Sequence, residues 1–275
     1  MMKKEISTRR PPGPSSPDSD GPFGALRDAG NLIESGRYDE AARQLARYID
    51  AGVDVALSHF ATKAIAELAA ARMPEAERTL SQSLLQESDY RSNLLLELSE
   101  VQWLNGHAEE AVGSLLSRIR GLKDRSVLYA DPAGGGREGL LLYYYGVRLD
   151  RASLIDSAGQ WLKRLHKRKR FEFMAWPAPL VRWFFGELDD AALLMEGCGT
   201  SSLEDALTTA RSSTRTRHPL IEFCFHRGVR ALREGDRSYS QQLFEGAVSI
   251  KNPLSINFVW YLARWEADLA GTSGN

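Results

Sequence analysis

The sequence is poor in cysteine and has no long apolar run. Cys198 and Cys224 are its only cysteines, they lie 26 residues apart, and no Cys-x-x-Cys pair occurs. This pattern excludes the disulfide framework of a small secreted domain and favours a reducing compartment. No run approaches the roughly 18 apolar residues that a membrane-spanning helix needs. We therefore expect a cytoplasmic protein without membrane insertion.

An excess of charge of one sign is also missing. Lys plus Arg number 35 and Asp plus Glu number 36 in a chain of 275 residues, of which 43% are hydrophobic. The hydrophobic content is enough for a sizeable core. The balance of charge excludes recognition of nucleic acid or an anionic membrane through net charge alone. Electrostatic recognition must therefore come from a local cluster.

Motifs that carry chemistry are absent from the sequence as well. It contains no G-x-S-x-G, H-E-x-x-H or G-x-x-x-x-G-K-[ST], and "DPAGGGREG" is not followed by Lys-Ser or Lys-Thr, so we interpret it as a loop. None of the five histidines has a second histidine at i+4 or a cysteine at ligand spacing. His226, close to Cys224, is interpreted as a core residue. We expect no enzymatic activity, no metal site and no cofactor.

The first 22 residues read "MMKKEISTRRPPGPSSPDSDGP" and contain five prolines but no apolar segment of a signal peptide. Pro, Ser, Asp and Gly bury too little apolar area to offset the entropy of ordering the chain. We predict that residues 1–22 form a disordered tail and that the folded part begins near Phe23.

What the sequence does contain is an internal repeat of 35 residues. Three stretches carry it: "GRYDEAARQL" (36–45), "ARMPEAERTL" (71–80) and "GHAEEAVGSL" (106–115). An alanine, a leucine and an upstream small residue recur in step with this interval: Ala41, Ala76 and Ala111; Leu45, Leu80 and Leu115; Ala29, Ala64 and Ser99.

Each stretch fits the turn and second helix of a helical hairpin. Gly36 supplies the positive φ that ends the first helix. Asp39 and Glu40 then fall in the first turn of the second helix, where unpaired amide groups favour negative charge. Ala29 and Ala41 are small enough to let the two helices cross closely. The spacing therefore predicts a stack of helical hairpins.

This pattern resembles the tetratricopeptide repeat, in which a small residue, a glycine, an aromatic residue, an acidic pair, an alanine and a large apolar residue take these relative positions. Another copy is "CFHRGVRALREGDRSYSQQLFEGAVSIKNP", where Ser240 replaces the alanine, whereas "LLLYYYGVRLDRASLIDSAGQWL" and "PLVRWFFGELDDAALLM" match less well. The resemblance implies an all-α fold, a right-handed α-solenoid of helical hairpins with a concave face. "PLSINFVWYLARWEADLAG" resembles the capping helix of such arrays.

How well each segment matches the repeat pattern divides the chain into three parts after the N-terminal tail. We predict three regular repeats over 23–124, irregular helical repeats with loop insertions over 125–218, and one repeat with the capping helix over 219–275. The C-terminal half also resembles bacterial repeat proteins of the envelope-adaptor lipoprotein type, although the lipid-attachment cysteine of those proteins is missing here.

In the family, the first helix of each hairpin lines the concave face. The resemblance therefore implies a partner-binding surface made of Leu26, Arg27, Ile33, Ile65, Leu68, Leu96, Glu100 and Trp103. This surface is largely apolar, and the family's clamp of Lys and Asn residues for a C-terminal carboxylate is not present. It suits a hydrophobic peptide or an amphipathic helix, with Trp103 as the expected hot spot. The alternative is that the C-terminal half of the chain fills the groove.

One tract of charge, "WLKRLHKRKRFEF", carries a basic patch made of Lys163, Arg164, Lys167, Arg168, Lys169 and Arg170. Its flanking aromatics, Trp161, Phe171 and Phe173, give the mix of charge and stacking surface that is typical of nucleic-acid contacts. We favour the interpretation that the tract is the solvated C-terminus of a helix, where cations are stabilised, with the aromatics turned inward. An acidic protein partner is a further interpretation of the tract.

Together these observations favour a non-catalytic scaffold or adaptor that binds a protein or peptide through its concave face. One alternative is an inhibitor or immunity-type protein that blocks a single enzyme or toxin. A second alternative is a nucleic-acid-associated regulator that uses the basic tract 163–170.

Overall fold

The computed structural model describes residues 22–52, 55–85, 94–128, 133–168, 175–250 and 258–272. Within these ranges the chain consists of α-helices and connecting turns, and no β-strand is present there. The all-α prediction is confirmed for this part of the chain. The predicted disordered tail, apart from Pro22, lies outside the described residues.

Each helix contacts the next one along the chain. The helices are α1 (Pro22–Glu34), α2 (Tyr38–Ala51), α3 (Leu57–Ala69), α4 (Met73–Ser83), α5 (Leu95–Leu104), α6 (Ala108–Asp124), α7 (Gly136–Arg148), α8 (Ala152–His166), α9 (Ala178–Phe184), α10 (Asp190–Cys198), α11 (Leu203–Ser212), α12 (Thr214–Glu234), α13 (Arg237–Ser249) and α14 (Phe258–Thr272). No helix in the described ranges has both the length and the apolar content that crossing a bilayer requires.

Turns of a single geometry join many of these helices in pairs. At the α1–α2 turn, Gly36 has a φ of 76° and its N–H donates to the carbonyl of Ile33, while the N–H of Arg37 donates to the carbonyl of Leu32. This pair of hydrogen bonds is the Schellman motif, which ends a helix through a residue in the left-handed conformation. The predicted role of Gly36 is therefore confirmed.

The same two hydrogen bonds and a positive φ recur at five later turns, at Ala71, Gly106, Asp150, Gly186 and Gly235. The pairs so formed are α1 with α2, α3 with α4, α5 with α6, α7 with α8, α9 with α10, and α12 with α13. At Ala71 and Asp150 a residue with a side chain adopts the left-handed conformation, at a cost of about 1 kcal/mol. The turn at Asp150 carries no glycine by which the sequence could mark it.

Small residues lie where the paired helices cross. The predicted contact positions Ala29, Ala41, Ala64, Ala76, Ser99 and Ala111 are all fully buried. In the third pair the hydroxyl of Ser99 donates to the carbonyl of Ala111 across the crossing, 2.8 Å away. Ser240 makes the equivalent bond to the carbonyl of Gly228 between α12 and α13, also at 2.8 Å. The serine that replaces alanine in the last copy thus links the two helices directly.

The fourth pair uses glycine for close approach. A Cβ atom on Gly139 of α7 would lie only 2.5 Å from the Leu162 side chain of α8. Any larger residue there would separate the two helices, so this crossing depends on glycine. Further along the chain the repeat becomes irregular, since α9 has only seven residues and α11 lies between two pairs.

The last helix packs against much earlier parts of the chain. Helix α14 contacts α5 as well as α12 and α13. On α7, the hydroxyl of Tyr144 donates to Oε1 of Glu266 at 2.6 Å, and Nε of Arg148 lies 3.1 Å from the same oxygen. The C-terminal helix therefore ties together the third, fourth and last helix pairs.

Candidate functional site

The residues expected to line a concave binding face are mostly buried. Ile33, Ile65, Leu68, Leu96, Glu100 and Trp103 are only 4–7% exposed, whereas Leu26 is half-buried and Arg27 is exposed. The indole of Trp103, on α5, stacks on the ring of Tyr145, on α7, with centroids 4.3 Å apart. Helix α14 also contacts α5. This burial favours the alternative in which the chain's own helices fill the groove. The role of these residues in partner binding stays a prediction.

The basic patch lies at the C-terminal end of α8. Lys163, Arg164 and Lys167 are exposed and Arg168 is half-buried, whereas Lys169 and Arg170 lie outside the described residues, as do Phe171 and Phe173. Trp161 is 2% exposed and its indole N–H donates to the carbonyl of Gly135 at 2.7 Å. This aromatic side chain is therefore part of the core and offers no stacking surface to a nucleic acid.

A different surface, between α7, α9 and α12, combines aromatic rings with cations. We call it the arginine–aromatic groove. Its inner cavity has a volume of about 210 Å³ and is lined by Leu140, Tyr143, Trp183, Phe184, His226, Arg230 and Arg233. A shallower depression continues beyond Trp183 and Arg230 over Leu188, Asp189, Asp190, Arg227 and Glu234.

The helices place these side chains for simple reasons. Arg227, Arg230 and Arg233 are three residues apart on α12, so they follow one face of that helix. Trp183 lies in the last turn of α9, and its indole N–H donates to Oδ1 of Asp190 at the start of α10, 2.7 Å away. Because α9 is so short, α12 also contacts α7 directly and brings its arginines to Tyr143.

Cation–π contacts hold the arginines in the groove. The Arg230 guanidinium lies 5.0 Å from the centre of the Trp183 ring, and that of Arg233 lies 5.4 Å from the centre of Tyr143. Nη1 of Arg233 also donates to the Tyr143 hydroxyl at 3.2 Å. Arg230 keeps 40% of its side chain exposed, and Arg233 is exposed as well. Both guanidinium groups therefore lie against aromatic rings of the same chain.

The ion pairs leave the arginine row with a surplus of positive charge. Arg227 pairs with Asp190 at 3.0 Å and with Glu234 at 3.3 Å, and Arg230 pairs with the same Glu234 at 3.2 Å. Three arginines therefore share two carboxylates. Among the described residues that line the inner cavity, none is acidic.

Beneath the groove lies a buried network of ionisable groups. Glu222 is 1% exposed on its side chain and pairs with Arg137 at 2.9 Å and with His218 at 3.2 Å. Burial alone would raise the pKa of Glu222, but Arg137 and His218 together hold it below its ordinary value. Burial lowers the pKa of His226 to about 4, so its ring is neutral at pH 7. Burial, together with the charge of Glu97, raises the pKa of Glu100.

The cysteines do not supply a reactive thiolate. Cys198 and Cys224 are both buried and free. Burial raises the pKa of Cys198 to about 11 and also raises that of Cys224. Because the thiolate is the nucleophilic form, these groups are inert at neutral pH. The described residues also contain no cluster of His, Cys, Asp and Glu that could hold a metal ion.

Sequence reasoning missed the arginine–aromatic groove. The row of Arg227, Arg230 and Arg233 is readable as a helical spacing, but Tyr143 lies 90 residues before Arg233. Only the direct contact of α12 with α7 brings the two together, and no local pattern encodes that contact.

Comparison with known proteins does not assign the site. The chain matches no protein-family model, and a search of curated proteins also returns no match.

Proposed function

We propose that this chain is a non-catalytic adaptor of the tetratricopeptide-repeat type, which binds a partner protein or peptide in the cytoplasm. In this proposal the helix pairs stack as a right-handed solenoid that α14 caps. Support for the repeat comes from the six equivalent Schellman turns and the buried small residues at the helix crossings. The observation that carries the binding function is the arginine–aromatic groove.

The composition of the groove is that of a protein interface. Trp, Tyr and Arg are the residues most enriched at interfaces and at their energetic hot spots. Here Arg230 is half-buried and Arg233 is exposed, and they lie over the rings of Trp183 and Tyr143. Side chains that are already ordered lose less conformational entropy on association, which favours affinity. We therefore locate partner binding in this groove, since the predicted inner positions around Trp103 are covered by the chain itself.

A matched pair of variants tests the proposal. The full chain is tagged and expressed in its source organism as the wild type, as Arg230→Gln/Arg233→Gln, and as the control Arg43→Gln/Arg47→Gln. Arg43 and Arg47 are exposed on α2, far along the chain from the groove. Proteins that co-purify are quantified by mass spectrometry, and circular dichroism checks that all three chains fold alike.

We expect a partner that the wild type and the control recover equally and that the groove variant recovers at least about tenfold less, the effect of losing roughly 1.4 kcal/mol. Equal recovery by all three chains would exclude the groove as the binding surface.

The basic patch supports a second candidate, the nucleic-acid-associated regulator. Lys163, Arg164 and Lys167 are exposed, and no described acidic residue pairs with them. Phosphate contacts made by such cations weaken steeply as salt increases. Binding of the full chain to a labelled oligonucleotide is measured at low and high salt, with Lys163→Gln/Arg164→Gln/Lys167→Gln as the comparison. Binding that is independent of salt, or unchanged in this variant, would reject the second candidate.

A further inference from the structure

We propose that the inner cavity of the arginine–aromatic groove binds a carboxylate carried on an apolar group, as the side chain of an acidic residue in a partner segment supplies. This inference rests on the proposed adaptor function and specifies the chemistry that the groove recognises. A free carboxylic acid offers the same chemistry from another source, and the experiment separates the two.

His226 provides the first argument. It is 6% exposed, it lines the inner cavity, and neither of its ring nitrogens is hydrogen-bonded to another described residue. Buried polar side chains almost always have a hydrogen-bond partner. A neutral imidazole has one N–H donor and one acceptor nitrogen. A ligand oxygen in the cavity would be in a position to accept from the N–H donor of His226.

The charge of the groove provides the second argument. Arg233 makes a cation–π contact and a hydrogen bond with Tyr143, and no carboxylate among the described residues pairs with it. With Arg227 and Arg230 sharing Asp190 and Glu234, the arginine row has one positive charge in surplus. An anion bound between Arg233 and His226 would balance that charge. Hydrogen bonds to a charged partner are about twice as strong as those between neutral groups.

The surroundings of the inner cavity favour a ligand with one negative charge over a ligand with two. Glu222 lies in the buried network beneath His226 and already carries a charge that Arg137 balances. The surplus on the arginine row is a single charge, so a dianionic phosphate would bring a second negative charge towards Glu222 without a partner. A carboxylate fits this balance.

The walls of the cavity indicate why the carboxylate should be attached to an apolar group. Leu140, Tyr143, Trp183 and Phe184 contribute carbon surface to the lining of the cavity. A volume of about 210 Å³ holds the equivalent of roughly seven water molecules at their liquid volume. That is room for a carboxylate with its methylene groups and part of a neighbouring apolar side chain, rather than for a large ligand.

The experiment uses the full chain and three defined probes. One is an acetylated and amidated pentapeptide with a central glutamate between leucines, the second is the same peptide with glutamine, and the third is butyrate. Binding is followed at pH 7 by NMR through the Cε1–H signal of His226, which His226→Gln assigns. Arg233→Gln tests whether the charge of Arg233 is needed for binding. The control is Arg237→Gln, which changes an exposed arginine at the start of α13.

We expect the glutamate peptide to shift the His226 signal, with an affinity at least tenfold above that of the glutamine peptide. Arg233→Gln should remove this preference and Arg237→Gln should keep it. A shift by butyrate of equal affinity would identify a free acid as the ligand, whereas a shift by the peptide alone would identify a partner segment. Equal binding of both peptides, or no shift up to about 10 mM of any probe, would overturn the proposal.

The result separates this inference from the proposed function. If partner recovery depends on Arg230 and Arg233 but no probe shifts the His226 signal, the groove binds a partner through other chemistry. If the probes bind but no partner depends on the groove, the cavity is a small-molecule site and the adaptor proposal fails at this surface.

Discussion

Trp103 lies on α5 with its ring stacked against Tyr145 and only 7% of its surface exposed. Replacing a large core aromatic with alanine removes its packing and leaves a cavity. We therefore expect Trp103→Ala to lower the free energy of unfolding by about 3 to 5 kcal/mol. Equilibrium unfolding in urea, followed by circular dichroism, measures the change.

Phe23 provides the matched control, since it is also aromatic but 84% exposed. Phe23→Ala should change the free energy of unfolding by no more than about 0.5 kcal/mol. If Trp103→Ala proved as stable as the wild type and lost a partner in the co-purification assay, the inner face would be the binding surface after all.

Glu100, also on α5, gives a prediction about pH. Burial raises the pKa of Glu100 above its ordinary value of 4.5, and the charge of Glu97 on the same helix raises it further. Glu222 on α12 and Glu138 on α7 also raise this pKa, whereas Arg137 on α7 lowers it. The folded chain therefore binds this proton more tightly than the unfolded chain does. Its contribution to stability is complete below pH 4.5 and is lost as the pH rises through the raised pKa.

Glu100→Gln replaces the titratable carboxyl group with an amide that is neutral at every pH. The variant should be more stable than the wild type at pH 7, by about 1 kcal/mol or more, and the difference should shrink towards pH 4. Urea unfolding at a series of pH values measures it, with the exposed Glu34→Gln as the control. A less stable variant at pH 7 would show that the Glu100 carboxylate is ionised and paired.

At the scale of the helix, the C-terminal end of α8 carries a row of exposed cations that we expect to contribute little to stability. Lys163, Arg164 and Lys167 are exposed, and surface charges of this kind contribute about 0 to 1 kcal/mol each at most. The triple change to glutamine should therefore leave the melting temperature within a few degrees of the wild-type value. Marked destabilisation would show that the row is paired within the fold.

Arg118 on α6 is the contrasting control. Its side chain is 2% exposed, and Nε lies 3.1 Å from Oε1 of Glu138, which is fully buried. Removing one partner of such a pair leaves an uncompensated buried charge, at a cost of about 3 to 5 kcal/mol. A single Arg118→Gln change should thus cost more stability than the three changes on α8 together.

The helices could be predicted from the sequence to the extent that their contacts are local. The first three pairs repeat every 35 residues, and their turns and crossings agree with the structure. The fourth pair matches the repeat less well in sequence, and at its turn Asp150 adopts the left-handed conformation without glycine, as Ala71 does at the second turn. Helix α9 is shortened to seven residues, and α11 has no counterpart in the repeat.

At the scale of the whole molecule, closure by α14 should make unfolding cooperative. Open repeat arrays unfold repeat by repeat, because each unit contacts only its neighbours. Here α14 contacts α5, and Glu266 bonds to Tyr144. We expect a single urea transition for the full chain. Removing residues 251–275 should accelerate amide exchange in α5, whereas removing only 273–275 should not.

Unchanged exchange in α5 after the longer truncation would show that α14 stabilises only the last helix pair.

The residue contacts that make the closure and the arginine–aromatic groove could not be predicted, for the same reason. Tyr144 and Glu266 are 122 residues apart, and the repeat pattern specifies only contacts between neighbouring helices. Which distant helices meet depends on the accumulated rotation of every pair between them. The 35-residue period of the sequence does not specify this accumulated rotation.

The hydrogen bond between Tyr144 and Glu266 also bears on how this gene can evolve. Open arrays change length by duplication or loss of whole units, since each new unit stacks on the next without disturbing distant ones. In this chain, one unit more or fewer between α7 and α14 would carry Glu266 away from Tyr144 and Arg148. The contacts of Glu266 therefore oppose a change in the number of units between α7 and α14.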